Sequence, residues 1–158
     1  MDRQFSDTSV LLLVATQTGN ADLVAEAAAE ALDGIGFQVG IVDMWDAFPE
    51  MLDDISCLVI CTSTWGEGEI PDNAVDFVDD VKALARPLDH LGYGIIGLGD
   101  HHYDPHFCAA ARIFEALLDN LGARRQISTL EICEGPTEED LSLARDWACQ
   151  LGRVLQTP

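Results

Sequence analysis

Positive charge is what this chain has least of. Only 8 of its 158 residues are lysine or arginine, against 28 aspartates and glutamates, for a formal net charge of -20. No lysine or arginine lies between Arg3 and Lys82, while 17 of the acids fall in the first 81 residues. Such a surface repels phosphate backbones and anionic bilayers, so neither nucleic acid nor membrane is an expected partner. Two readings of the surplus acid remain open: dispersal in solution, or a docking face for a basic partner. Apolar runs of membrane-spanning length are also lacking. Residues 1–7 carry neither the basic flank nor the apolar centre of a signal peptide, so the expectation is a cytoplasmic protein. The five cysteines, Cys57, Cys61, Cys108, Cys133 and Cys149, form no C-x-x-C pair and no metal-ligand spacing, and read as reduced thiols. Repeats and low-complexity linkers are absent too. With 48% of its residues apolar, the chain can fill one core and is too short for two, so residues 1–158 are expected to form a single domain and a monomer.

What is present is an alternation. Val10, Leu11, Leu12, Leu13 and Val14 form an unbroken apolar run, the pattern of a strand buried on both faces. Leu23, Val24, Ala27, Ala28 and Ala31 recur at helical spacing, with Gly34 and Gly36 as a stop. Phe37, Val39 and Ile41 alternate as in a half-exposed edge strand ending near Asp43. Met51, Leu52 and Ile55 allow a short helix. Cys57 to Cys61 is a second interior strand. Phe77, Val78, Val81 and Leu84 form a helical stripe closed by Pro87. A third interior strand runs from Tyr93 to Leu98. Ala110, Ile113, Phe114, Leu117, Leu118 and Leu121 make the next helix, stopped by Gly122. A strand from Ile127 to Ile132 follows. Thr137 with Asp140 can cap a last helix whose inner face is Leu141, Ala144, Trp147, Ala148, Leu151 and Val154. Five alternations of strand and helix imply right-handed crossovers and an α/β fold, a parallel sheet covered on both faces. Ligands of such sheets sit beyond the carboxyl ends of the strands, where the winding reverses.

Three loops leave those ends: residues 16–20, 62–71 and 99–107. Thr16, Gln17, Thr18, Gly19 and Asn20 offer hydroxyls, amides and backbone N–H groups at a helix start, the requirements for holding a phosphate by neutral dipoles. A P-loop would need a lysine that this one lacks. The other two loops each present one large aromatic, Trp65 and Tyr103, in a polar, glycine-containing setting. Two rings beside a phosphate loop point to a flat ring stacked between them.

Taken together, Thr16-Gln17-Thr18-Gly19-Asn20, Ser63-Thr64-Trp65-Gly66-Glu67-Gly68 with Pro71-Asp72-Asn73-Ala74, and Gly97-Leu98-Gly99-Asp100 with Tyr103 and Phe107 resemble the three FMN-binding loops of flavodoxins. They look closer still to the short MioC-type flavodoxins and to the FMN domains of diflavin reductases, and the likeness runs in order along nearly the whole chain. It implies a flavodoxin-like, doubly wound, five-stranded parallel sheet of order 2-1-3-4-5 with FMN at the switch point between strands 1 and 3, a topology for which flavodoxin is itself a standard example. It also implies that Thr16, Gln17, Thr18, Gly19, Asn20 and Ala21 bind the FMN phosphate and that Trp65 and Tyr103 cover the two faces of the isoalloxazine. Ser63, Thr64, Gly66, Glu67, Leu98, Gly99, Asp100 and Phe107 complete the implied cofactor-binding set. In this family the carbonyl at Gly66 can turn to accept a hydrogen bond from N5–H of the one-electron-reduced flavin, and glycine permits that flip at little steric cost. One residue more separates Tyr103 from Phe107 than in diflavin loops. No insertion interrupts the strand between Ile127 and Glu134, as in the short-chain group.

The resemblance implies an FMN-binding carrier that shuttles single electrons between a flavoprotein reductase and an acceptor enzyme, both basic, with no turnover or catalytic residue of its own. Glu67, Glu69, Asp72, Asp100 and Asp104 would surround the exposed flavin edge. The rival is a flavodoxin-like NAD(P)H:quinone oxidoreductase, which would also bind FMN. A module that has lost FMN and only binds partners is a third class, opposed by the intact aromatics and phosphate loop. A phospho-receiver domain would need acids where Ala15-Thr16 and Thr62-Ser63 stand. His101, His102 and His106 are read as a polar rim and not a metal site, because adjacent histidines in such a loop diverge. Gly97-Leu98-Gly99 is no dinucleotide fingerprint, since His102 replaces the third glycine. Cys57 and Cys61 share one strand face as core thiols, and Trp45 and Trp147 are read as packing residues.

Overall fold

A computed structural model describes residues 9–16, 19–64, 69–99, 108–133 and 135–156. Within them the strands are β1 (Ser9–Ala15), β2 (Gln38–Asp43), β3 (Cys57–Ser63), β4 (Gly92–Gly99), β5 (Arg124–Arg125) and β6 (Leu130–Cys133). The helices are α1 (Asn20–Gly34), α2 (Val75–Leu84), α3 (Ala109–Asn120) and α4 (Glu138–Gln156). All pairings are parallel, in the order β2-β1-β3-β4, with β5 and then β6 lying along the far side of β4. The doubly wound order 2-1-3-4-5 inferred above is the order observed, the fifth position being divided between two short segments. Ser128 marks the division: its carbonyl leaves the ladder and accepts the Trp147 Nε1–H at 2.9 Å.

Strand periodicity sorts the core into two layers. Val10, Leu12 and Val14 of β1, Cys57, Val59 and Cys61 of β3, and Ile96 and Leu98 of β4 face α1 and α4. Leu13, Ala15, Leu58, Ile60, Tyr93 and Ile95 face α2 and α3. Burial pushes the Cys57 and Cys61 thiols up to about 12, which makes them inert core groups. The last helix opens with the expected reciprocal cap: the Asp140 carboxylate accepts the Thr137 N–H at 2.9 Å, and the Thr137 hydroxyl accepts the Asp140 N–H at 3.2 Å.

Three expectations need correction. Leu23, Leu84, Ile113 and Val154 are exposed, although each belongs to an apolar helical stripe. Val24, Phe114 and Leu155 take the inward positions next to Leu23, Ile113 and Val154, while Leu84 ends α2 a turn beyond the buried Val81. Residues 44–56 form two 3-10 turns, Met44–Asp46 and Pro49–Leu52, and not one short helix. Pro49 starts the second turn where a continuing helix would need its N–H. Trp45 is no packing residue, being 62% exposed. The Asp43 carboxylate accepts the Trp45 N–H at 2.8 Å and so caps the turn, while Met44 takes the buried place beside it.

Candidate functional site

The C-terminal ends of four strands lie side by side. Val14 of β1 pairs with Asp43 of β2, Ala15 with Thr62 of β3, and Ser63 with Leu98 of β4. The chain leaves β1 toward β2 on one side, yet β3 lies on the other, so the winding reverses between β1 and β3. That reversal opens a crevice at this edge.

Hydroxyls and one buried amide build the floor of the crevice. The Thr16 Oγ1 accepts the Gly19 N–H at 3.0 Å and lies 3.3 Å from the Ser63 hydroxyl, tying the first loop to the end of β3. Gly19 sits at φ 88, a left-handed conformation that glycine takes without strain, and turns the chain into α1. Among the described residues no side chain caps that helix start. Its first turn therefore presents N–H groups and the positive end of the helix dipole. Asn20 stands exposed there, whereas the Ala21 side chain is buried in the core, leaving its backbone as the part that can face a ligand.

Asn73 was not among the site residues expected, although it is the polar group most firmly committed to this loop. It is 3% exposed. Its Oδ1 accepts the Thr16 N–H at 3.0 Å, and its Nδ2 donates to the Val14 carbonyl at 3.1 Å and the Asp43 carboxylate at 3.0 Å. One side chain thus fixes the start of the first loop to the ends of β1 and β2. The available signal was the run Pro71-Asp72-Asn73-Ala74: a short 3-10 turn at Asp72–Ala74 carries the amide inward, beneath the loop.

Thr64 ties the second loop to the neighbouring helix and strand. Its Oγ1 accepts the Ala110 N–H at 3.2 Å, serving the start of α3, and its own N–H donates to the Leu98 carbonyl at 3.1 Å. Leu98 is a core residue and Gly99 ends β4. Gln17, Thr18, Trp65, Gly66, Glu67, Asp100, Tyr103 and Phe107 lie outside the described residues, as do His101, His102, His106 and Asp104. Among the described residues no group of three or more His, Cys, Asp or Glu is placed to hold a metal ion.

The electrostatics suit a ligand held by dipoles. Burial, then the neighbouring Asp43 and Glu26, hold the Asp22 carboxyl above its ordinary range. Asp22 therefore opposes further negative charge, and with no lysine or arginine in the segment from Thr16 to Gly34 any attraction there comes from the helix end and the hydroxyls. This neutral donor set fits a single phosphate monoester at a helix N-terminus.

Comparison with known proteins agrees with the geometry. The family model for flavodoxin matches residues 12–147. The NADPH sulfite reductase flavoprotein alpha-component of Bacillus subtilis (strain 168) is 39% identical over 117 residues, covering 73% of this chain and 19% of that protein. Its counterpart from Neisseria meningitidis serogroup A (strain Z2491) is 35% identical over 150 residues, 94% of this chain and 24% of that protein. The chain thus spans about a fifth to a quarter of these relatives' length. Among solved structures, a short-chain flavodoxin associated with a PDU bacterial microcompartment superposes with a TM-score of 0.85 at 26% identity, covering 94% of this chain and 99% of that one. Flavodoxin 2 of Bacillus cereus gives 0.85 at 29% identity, over 92% and 98% of the two chains. The chain belongs to the flavodoxin family. Its cofactor is accordingly FMN, and its fold is that of FMN-dependent electron transfer.

Proposed function

We propose that this chain is a carrier of single electrons between a flavoprotein reductase and an acceptor protein, with no substrate turnover of its own. The observation that carries this reading is the Asn73-braced crevice at the switch point, beside a helix start that no side chain among the described residues caps. In the reading, residues 16–21 hold the FMN phosphate, with the Thr16 and Ser63 hydroxyls aligned by their mutual contact. Trp65 and Tyr103 cover the faces of the ring and exclude water, Gly66 supplies an adjustable carbonyl, and Glu67, Leu98, Gly99, Asp100 and Phe107 line the remainder. Bound FMN supplies the redox chemistry, while the protein supplies position and electrostatics.

Resemblance to NADPH sulfite reductase flavoproteins supports an NADPH-oxidising flavoprotein as donor. The acid surplus favours a basic docking face on both partners, because opposite charge accelerates encounter. Five unbridged cysteines suit the reducing cytosol. Among the described residues no helix is long and apolar enough to cross a membrane.

The test is extraction of the cofactor followed by stepwise reduction of the reconstituted protein. One FMN per chain and two resolved one-electron steps are expected. A single two-electron step, together with unaided oxidation of NAD(P)H by quinone, would replace this reading with the quinone oxidoreductase.

A further inference from the structure

Two aromatic side chains stand in water at the edge of the sheet that carries the crevice. Trp45 is 62% exposed and Phe48 is 50% exposed, and Val75, at the start of α2, is exposed as well. Scattered exposed apolar residues are ordinary on a protein surface, but two large rings within four residues, both held on a fixed backbone, are not explained by folding. The backbone is fixed at three points. Met44 is buried immediately before Trp45, Pro49 is buried immediately after Phe48, and the Trp45 N–H is held by Asp43. The turn Met44–Asp46 also packs against the turn Asp72–Ala74 and against α2. Asp43, which begins this segment, is the same residue that receives the Asn73 amide, so the rings are built onto the frame that braces the crevice.

Charge beside the rings is mostly negative. Asp46, Glu50, Asp72 and Asp76 are exposed nearby in the chain or on the turn that packs against Met44–Asp46; of the cations close by, Arg86, which lines a groove with Pro49 and Leu52, is bound to Asp53, and Lys82 lies in the last turn of α2. A second copy of this chain would bring these acids against their own kind, and an anionic lipid surface would be repelled likewise. The complementary surface is a protein with an apolar recess rimmed by lysine and arginine.

We infer that Trp45 and Phe48 are the apolar anchor of a docking face for a basic redox partner, inserting into such a recess while the surrounding acids pair with its rim. The inference rests on the carrier reading of the preceding section and adds to it the residues that hold the partner once steering has delivered it. Rigid aromatic anchors lose little conformational freedom on binding and tend to dominate interface energy, whereas rim charges act chiefly on encounter.

The two contributions separate by salt. With FMN-loaded protein and mitochondrial cytochrome c, whose exposed haem edge is ringed by lysines, as the probe, affinity and electron-transfer rate are measured at low and at high ionic strength. Trp45→Ala with Phe48→Ala is expected to weaken binding about tenfold at both, while FMN content and reduction potential stay as in the unmodified protein. Asp46→Asn with Glu50→Gln is expected to slow transfer at low salt alone, where charge is least screened. Trp45→Phe should retain most of the affinity, and Trp45→Gln alone provides a second variant should the double one fold poorly. If the double alanine variant and Trp45→Gln bind cytochrome c as the unmodified protein does at both ionic strengths, the anchor is refuted. If the unmodified protein neither binds cytochrome c nor reduces it, the basic-partner reading fails and takes the anchor with it.

Discussion

Asn73 is where the fold and the site depend on the same atoms, so its replacement should be felt in both. In Asn73→Ala three hydrogen bonds disappear: from the Thr16 N–H at 3.0 Å, to the Val14 carbonyl at 3.1 Å and to the Asp43 carboxylate at 3.0 Å. A buried donor left without a partner costs about 1–3 kcal/mol, and a hydrogen bond to an ionised group contributes about 1.5–3 kcal/mol. Water entering the space left behind returns part of this, and a loss of about 3 kcal/mol is expected. Against a usual domain stability of about 5–15 kcal/mol that is large enough to shift a urea midpoint clearly. The site should report separately. Because Asn73 fixes the backbone at Thr16, the loss should be about tenfold greater for FMN than for riboflavin, which has no phosphate to place.

A second substitution tests the direction of the argument. Asn73→Asp keeps an acceptor for the Thr16 N–H but sets a carboxylate oxygen against the Val14 carbonyl and the Asp43 carboxylate, which disfavours the charged form. Its pKa in the folded state is thereby raised, so the folded protein binds the proton more tightly than the unfolded chain. Stability must then rise as pH falls through that raised value, and it must be lower than that of Asn73→Ala near pH 7. Denaturant titrations of the FMN-free protein from pH 8 to pH 5 measure both. A cost below about 1 kcal/mol for Asn73→Ala, equal losses for FMN and riboflavin, or a pH profile for Asn73→Asp parallel to that of the unmodified protein would each refute the bracing role.

Three further substitutions probe other parts of the structure. Tyr93 is buried with its hydroxyl donating to Asp119 at 2.6 Å, and burial followed by that bond raises its pKa; Tyr93→Phe should cost about 1–3 kcal/mol near pH 7. The unmodified protein should lose stability as pH rises beyond the ordinary tyrosine range, where the unfolded chain releases its proton first, and Tyr93→Phe should flatten that loss; an unchanged alkaline slope would contradict the assignment. At Gly94 a Cβ would lie 2.9 Å from the Trp147 ring, so Gly94→Ala should destabilise by about 1–3 kcal/mol, read as a lowered melting temperature, whereas an unchanged one would show that the ring can move. Asp22→Asn should stabilise the FMN-free protein at neutral pH and tighten FMN more than riboflavin, because it removes a carboxylate held above its ordinary range. The gain in stability should vanish as pH falls through that raised value and the unmodified side chain takes up its proton, and a gain independent of pH would assign it to another cause.

The layers of the fold were legible because apolar runs and helical stripes each report on one local period. Leu12 to Val14, Cys57 to Cys61 and the stripe from Ala144 to Leu151 need only their own spacing to be read as core. The misplacements came where one face is shared between adjacent candidates: Val154 and Leu155 are both apolar, and only the position of α4 against α1 decides which turns inward. Trp45 illustrates the stronger limit. A large apolar side chain is ordinarily an argument for burial, but here Met44 satisfies the core from the neighbouring position and Asp43 fixes the turn, leaving the larger ring outside.

The site divides along the same line. The expectation of a phosphate loop from Thr16 to Asn20 needed only one stretch of sequence, because hydroxyls before a helix carry their chemistry locally. The run Pro71-Asp72-Asn73-Ala74 marked Asn73 only by resemblance; its bracing role was not legible, since its partners are 57, 59 and 30 residues away and only the folded chain brings them together. The long-range amide also explains how a loop without a cation can be built in so acidic a chain. The Asp43 carboxylate beneath the loop receives two N–H donors, one from Asn73 and one from Trp45, and these offset charge that would otherwise stand unrelieved beside Asp22. In the proposed reading neutral dipoles then suffice for the phosphate, and the remaining acids are left for the outer surface, where the proposed basic partner would meet them.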